Sequence, residues 1–307
     1  MPAICDDFCV GGVLIVDKPA GMTSHDVVGR MRRLFHTRQV GHTGTLDPLA
    51  TGVLPVLIGR AVKASEYVMA EQKRYFAGIR FGFTTDTEDI TGTVQTRTDR
   101  IPSRAEIEAI LPQFTGKIAQ IPPMYSALKI GGQKLVDLAR QGISVERNAR
   151  QIQIERITLC DSPDPTNDFC LDVICSKGTY IRTLCADIGA ALGCGAVMSA
   201  LRRTASGQFT EAQAITPDAL EEMDEAARKT RLQPVESLFA DLPKVVLPPF
   251  FARLGHCGAL LYQAKLRTAY PCGTRVRLAD AEGFFALGEA VEDAQGAAIK
   301  PIKQFVL

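Results

Sequence analysis

The chain has almost no excess charge of either sign: 35 Lys and Arg stand against 34 Asp and Glu, leaving +1 at pH 7. Bulk charge therefore neither argues for a polyanionic partner nor excludes one, and only local clusters can carry that reading. Closely paired cysteines are missing too. Cys5, Cys9, Cys160, Cys170, Cys175, Cys185, Cys194, Cys257 and Cys272 are scattered, odd in number and without a C-x-x-C pair, which fits reduced thiols rather than a disulfide framework. Cys5 and Cys9 with His256 and Cys257 match no common zinc spacing, so no metal site is expected. The N-terminus carries Asp6 and Asp7 where a secretory signal has basic residues. No apolar run approaches the ~20 residues of a membrane span, so the expectation is a soluble cytoplasmic protein with no membrane partner. No Gly-Lys-Ser/Thr follows the glycines, which excludes a P-loop. A composition of 46% hydrophobic and 22% charged residues over 307 positions is ordinary for globular chains, long enough for one large domain and a small one.

What the sequence does contain is concentrated in Gly41-His42-Thr43-Gly44-Thr45-Leu46-Asp47-Pro48-Leu49-Ala50-Thr51-Gly52. Pro48 fixes its own φ and pushes Asp47 toward an extended conformation. The flanking glycines let the backbone approach a ligand or take φ > 0. One carboxylate is thus pinned in a rigid turn just before an apolar strand, which makes Asp47 the first candidate for chemistry. An isolated Asp-Pro would more often be a capping turn.

This run resembles the signature of the TruB family of bacterial tRNA pseudouridine synthases. The resemblance continues through Gly12-Val13-Leu14-Ile15-Val16-Asp17-Lys18-Pro19, Gly21-Met22-Thr23-Ser24 and Lys73-Arg74-Tyr75. Further matches are Ile121-Pro122-Pro123-Met124-Tyr125-Ser126-Ala127-Leu128-Lys129, Cys175-Ser176-Lys177-Gly178-Thr179-Tyr180-Ile181-Arg182-Thr183 and Leu201-Arg202-Arg203-Thr204. The motifs follow the family's order over nearly the whole chain.

Along the chain, local patterns give mixed α and β. Strands are expected at Gly12 to Val16, Val53 to Ile58, Arg74 to Phe83 and Leu171 to Cys175. Thr23 to Phe35 reads as an amphipathic helix opened by Thr23 and Asp26, with Val27, Met31, Leu34 and Phe35 inward and Arg30, Arg32 and Arg33 outward. Ser103 and Glu106 open a short helix that Pro112 stops. Ile181, Leu184, Cys185, Ile188 and Leu192 mark a helix stopped at Gly193, with Arg182 in its first turn. Thr216 caps another that has Pro217 at its first position. Residues 121–150, rich in proline, glycine and basic side chains, read as a long irregular surface insertion. From about residue 244, short strands at Val245-Val246-Leu247, Thr274 to Leu278 and Phe284 to Leu287 suggest a small all-β unit.

The resemblance implies an α+β pseudouridine synthase fold on a curved mixed, largely antiparallel sheet over residues 1–243, followed by a PUA-like RNA-binding domain over 244–307. It implies isomerisation of the T-arm uridine of tRNA, with Asp47, Arg182 and Tyr75 catalytic and His42, Tyr75, Tyr180 and Leu201 binding the substrate. A buried Asp needs a paired cation to stay charged, and the planar fork of Arg182 suits a carboxylate. Tyr75 would stack the flipped base. His42 would fill the space the base vacates, and Lys18 and Pro19 would brace the Asp47 loop. Arg30, Arg32, Arg33, Lys129, Lys134, Arg140, Arg147 and Arg202 would face the RNA backbone. An isomerisation needs no cofactor, and the family acts as a monomer without an obligate protein partner. Two competing readings carry less weight. Thr43-Gly44-Thr45 echoes aspartyl-phosphate enzymes, but Gly41 and His42 stand where their Asp-Lys pair belongs. A purely RNA-binding protein has no use for Asp47, Tyr75 and Arg182 together.

Overall fold

The computed structural model describes residues 11–67, 72–126, 128–161 and 169–305. Cys5, Asp6, Asp7, Cys9 and Ala127 lie outside the described residues. The large sheet is built from β1 (Gly12–Lys18), β2 (Val40–His42), β3 (Thr51–Ile58) and β4 (Gln72–Phe81) at the start of the chain. A hairpin of β5 (Phe83–Thr85) and β6 (Val94–Arg97) follows. Next come β7 (Gly116–Gln120), the short hairpin β8 (Lys129–Ile130) and β9 (Gln133–Lys134), β10 (Arg150–Cys160) and β11 (Phe169–Ser176). β12 (Ala196–Ser206), β13 (Phe209–Thr210) and β14 (Gln233–Pro234) complete this part. Ten of these strands form one sheet in the order β14-β1-β3-β12-β4-β11-β10-β7, with β13 on β12 and β2 on β3. Every pairing is antiparallel except β3 with β12, where Thr51 and Gly52 lie parallel to Arg202 and Arg203. The sheet is therefore mixed and largely antiparallel, as expected.

The strands run close to the sequence's own punctuation. β3 is apolar throughout because it is buried on both faces: Leu54, Val56 and Ile58 enter the main core, while Val53 and Leu57 join Val13 and Ile15 on the other side. Helix α1 (Ser24–Leu34) has the anticipated capping box, Thr23 accepting from the Asp26 N–H and Asp26 from the Thr23 N–H. Its Val27, Val28 and Met31 are buried on the sheet. α2 (Arg104–Ile110) carries the Ser103/Glu106 box. Pro112 does not end the helical path there. It sits in the first turn of a 3-10 segment, Leu111–Phe114, where its missing N–H costs nothing.

Residues 121–150 depart from the expected irregular stretch. They hold the β8/β9 hairpin and α3 (Leu135–Arg140), whose Leu135 and Leu138 are buried one helical turn apart. α4 (Ile181–Ala191) buries Leu184, Cys185 and Ile188 completely, each contributing about 1.5–3 kcal/mol of apolar burial where the side chain is hydrocarbon. Leu192 is its C-cap, followed by Gly193 at φ +69°. A further short helix, α5 (Pro217–Glu222), begins at Thr216 as expected.

After Pro243 a five-stranded sheet runs in the order β15-β17-β18-β19-β16, from β15 (Lys244–Val246), β16 (Leu261–Tyr262), β17 (Arg275–Asp280), β18 (Gly283–Asp293) and β19 (Gly296–Gln304). It has its own core around Leu261, Val276, Leu278, Phe285 and Ile299, and two short helices, Pro249–His256 and Gln263–Leu266, accompany it. Phe239 packs with Leu287 and Phe305 to join the two sheets, and Lys303 pairs with Glu66 at 2.6 Å.

The parallel contact between β3 and β12 depends on Gly52. It holds φ +100°, and a Cβ there would lie 2.2 Å from the Arg203 carbonyl oxygen. Gly52→Ala is therefore expected to cost several kcal/mol in urea denaturation, or to prevent folding. Gly142→Ala, at φ +74° in open space, should cost only the ~1–3 kcal/mol of a strained backbone.

Candidate active site

Asp47 lies in the loop between β2 and β3, and the chain fastens that loop at nearly every residue. Lys18, fully buried at the end of β1, donates from Nζ to the Pro48 carbonyl at 3.4 Å, and to the carbonyls of Pro19 and Met22 at 2.8 and 2.6 Å. The Gly21 N–H also donates to Pro48 O at 2.9 Å. Ser24, buried in the first turn of α1, accepts from the Leu46 N–H at 2.9 Å and donates to the Leu46 carbonyl at 3.1 Å. Arg203 on β12 donates to Gly44 O at 3.0 Å and to Thr45 O at 3.4 Å. Gly44 takes φ +84° beneath Lys73 and Arg203. The expected bracing role of Lys18 and Pro19 thus has a physical form, a buried ammonium tying two loops through three carbonyls. Burial lowers the Lys18 pKa to about 8, against the opposing attraction of Asp47.

From α4, Arg182 meets the carboxylate as a fork. Nε reaches Asp47 Oδ2 at 2.9 Å and Nη2 reaches Oδ1 at 3.4 Å. Its remaining donors go to the carbonyls of Tyr125 (2.8 Å) and Thr87 (3.0 Å), with Asp89 Oδ2 at 3.6 Å. The guanidinium is buried, while the Asp47 side chain keeps 37% of its surface open. Burial raises the Asp47 pKa above the ordinary carboxylate value. Arg182 opposes that rise, Asp89 adds to it and Lys18 opposes it. Arg182 therefore acts with the expected sign, yet desolvation is the larger effect.

The pair opens into a cavity of about 870 Å³ that is also lined by Tyr75, Tyr180, Leu201 and Lys73. Tyr75 comes from β4, opposite Val173 on β11 and Arg203 on β12. Burial raises its phenol pKa and Arg203 opposes the rise. Tyr180 caps α4, its backbone clasped by the Gln120 amide at 2.8 and 3.0 Å, and burial raises its pKa as well. The insertion contributes Tyr125, Ser126, Leu128, Val136 and Arg140 to the cavity wall, so it is part of the site.

His42 stands apart from this cavity. It ends β2, half-buried, with Nδ1 lacking a hydrogen-bond partner among the described residues. Burial first, then Arg203 and His25, lower its pKa, which leaves a neutral ring. Of the basic residues expected at a polyanion, Arg32, Arg33, Lys129, Lys134 and Arg140 are exposed. Arg147 donates to the Pro122 carbonyl at 2.9 Å. Arg30 and Arg202 are instead engaged by carboxylates of this chain. Arg30 is held by Asp218 and Glu221 at 2.5 Å each, because the acidic side of α5 packs against α1. Arg202 is held by Asp17 at 2.9 Å and by Glu211. Sequence reasoning passed over Asp89, and it quoted Ser24 and Arg203 in motifs without seeing that both are buried beneath the Asp47 loop. Only the run of threonines around Asp89 hinted at the carboxylate that Thr87 and Thr91 bind at 2.8 and 2.6 Å.

Residues 32–181 match the family described as TruB family pseudouridylate synthase (N terminal domain), and residues 182–240 match the tRNA pseudouridylate synthase B C-terminal domain. The chain is 45% identical over 280 residues to the tRNA pseudouridine synthase B of Azoarcus sp. (strain BH72), covering 91% of both. The chain belongs to the TruB family of pseudouridylate synthases. It is accordingly an enzyme, an isomerase that makes pseudouridine. The Bacillus subtilis (strain 168) member of the family, also named tRNA pseudouridine synthase B, is 42% identical over 300 residues, 96% of this chain and 97% of that one. Among solved structures, one titled a Cbf5-Nop10-Gar1 complex matches with a TM-score of 0.71 at 30% identity, over 96% of this chain and 85% of the other. An H/ACA RNP bound to a substrate RNA containing 2'-deoxyuridine matches at 0.68 with 27% identity, over the same shares of the two chains. The two family matches end at residue 240, so the β15–β19 sheet lies beyond both.

If Ser24 sets the height of the Asp47 loop, Ser24→Ala leaves the Leu46 N–H and C=O unpaired in the core. The expected cost is about 1–3 kcal/mol in urea denaturation. Turnover should fall further than that partial loosening alone suggests, with KM for RNA little changed.

Proposed function

We propose that the chain isomerises the uridine at position 55, in the T-arm of tRNA, to pseudouridine, with Asp47 as the reacting carboxylate. The observation that carries this reading is the Asp47–Arg182 fork at the floor of a cavity walled by Tyr75 and Leu201. The names of the 42–45% identical relatives support tRNA as the substrate. A uridine stacked in RNA exposes neither C1′ nor C6, so the base must leave the stack and enter the cavity. Tyr75 and Leu201 offer it flat and apolar faces there. Tyr180 sits within reach of the pocket's polar edge, and His42, neutral and outside the cavity, suits the gap the base leaves.

Arg182 aligns both carboxylate oxygens of Asp47 and offsets part of the desolvation that disfavours their charge, so the ionised form is present to react. The C1′–N1 bond breaks, the uracil turns within the cavity, and a C1′–C5 bond forms. The proton on C5 leaves and N1 acquires one from solvent. The reaction is an isomerisation, with no redox change and no group left over, and so calls for neither cofactor nor metal. Arg32, Arg33, Lys129, Lys134 and Arg140 are the exposed cations that serve as phosphate contacts in this reading. Residues 1–243 then form the catalytic domain and 244–307 a PUA-like RNA-binding domain, in a monomer working without an obligate protein partner in the cytoplasm.

Tritium release from a tRNA transcript carrying 5-tritiated uridine tests this reading. Wild type should release tritium from one uridine per tRNA, mapped to the T-arm, without added metal or nucleotide. Asp47→Asn should bind tRNA within a few-fold of wild type and release none. Turnover by that variant would remove Asp47 from its role, and tight binding without release by wild type would place the chain among RNA-binding proteins.

A further inference from the structure

Arg203 is the largest of the fully buried side chains among the described residues. Its guanidinium donates to the carbonyls of Val53 (2.7 Å), Gly44 (3.0 Å) and Thr45 (3.4 Å). Other arginines in this half of the molecule have carboxylates, among them Arg182 with Asp47, Arg202 with Asp17 and Arg74 with Asp172. Arg203 forms no such ion pair among the described residues. A cation fully removed from water without an opposite charge is costly, and an apolar side chain of similar volume would be the cheaper way to fill the space. What that charge faces is therefore informative. Arg203 stands directly opposite Tyr75 in the β4/β12 ladder, on the same face of the sheet, and its charge opposes the rise that burial gives the Tyr75 phenol pKa. Its field also reaches Lys18 and His42, lowering the pKa of each. One guanidinium thus grips the Asp47 loop through Gly44 and Thr45 while facing, across the ladder, the aromatic residue that shares the cavity with Asp47.

We propose that Arg203 is a positioning residue for the isomerisation, donating a hydrogen bond to the Tyr75 oxygen and holding that oxygen where it takes the C5 proton. The proposal rests on the Asp47 reaction and the stacking role of Tyr75 given above, and adds to the latter the transfer of the C5 proton. In the step concerned the C5–H bond of the rejoined uracil breaks and its electron pair restores the ring double bond. The proton passes to the Tyr75 oxygen as the phenol's own proton passes to water. A cation hydrogen-bonded to that oxygen stabilises the negative charge that develops on it during the exchange. Arginine is needed because one group must serve the Gly44, Thr45 and Val53 carbonyls and the phenol together, more acceptors than an ammonium has donors.

The test is single-turnover product formation on tRNA carrying 5-protio or 5-deutero uridine. Wild type is compared with Arg203→Lys, Arg203→Met, Tyr75→Phe and the Arg203→Lys/Tyr75→Phe double variant. Arg203→Lys keeps the buried charge and some of the carbonyl bonds, and so carries the test if Arg203→Met does not fold. The expected result is a rate about 10-fold lower or more for Arg203→Lys, with a larger 5-deuterium isotope effect. The double variant should be no slower than Tyr75→Phe alone. An unchanged isotope effect, or losses that multiply in the double variant, would reduce Arg203 to a structural anchor of the loop. Absence of tritium release by wild type would instead defeat the proposed function.

Discussion

The site depends on a carboxylate that the fold makes uncomfortable and then holds in place. Burial works against the charge on Asp47, and Arg182 compensates only in part. The fork geometry matters as much as its charge: one group across 135 residues of sequence fixes both carboxylate oxygens while its other donors hold the backbone of Thr87 and Tyr125. Remove the fork and the loop, the insertion and the β5/β6 hairpin lose their common fastening. The energy needed to hold such a group comes from elsewhere, chiefly the doubly buried strands β1 and β3 and the helices α1 and α4 that pack on the sheet.

A second constraint runs through β12. This strand pairs antiparallel with β4 and parallel with β3, so one element brings Leu201 into the cavity and Arg203 beneath the Asp47 loop. Gly52 exists to let β3 pass the Arg203 carbonyl. The packing of the sheet and the placement of the cavity residues are consequently one problem, and Gly44, Gly52 and Ser24 solve parts of it with small residues at close approaches. The β15–β19 sheet is fastened to this body by Phe239, Leu287 and Phe305, and by Lys303 with Glu66, away from the cavity.

The sequence was legible where structure is local. The boxes at Thr23/Asp26 and Ser103/Glu106, and the stop at Gly193, depend on residues a turn apart, and their helices formed as written. β12 escaped because Ala196-Val197-Met198-Ser199-Ala200-Leu201 mixes helix-favouring residues without alternation. A strand buried on both sides has no polar face to give it a period of two. α3 escaped because its two buried leucines sit among glycines and cations. Asp47 could be singled out from its own turn, whereas its union with Arg182 came from family likeness alone. Asp89 had no marker of its own, and the fates of Arg30 and Arg202 were set by acids that only the tertiary fold brings near.

The central claim is that Asp47 reacts as an ionised carboxylate whose charge burial disfavours and Arg182 defends. The direct measurement is the pH dependence of single-turnover kcat/KM in wild type and Arg182→Lys. A group that must be ionised loses activity as pH falls through its own pKa. The acid limb in wild type should therefore lie above the ordinary Asp value of about 3.9, and should move higher still when the fork is lost. A limb at or below the ordinary value, or one that Arg182→Lys leaves in place, would contradict the account.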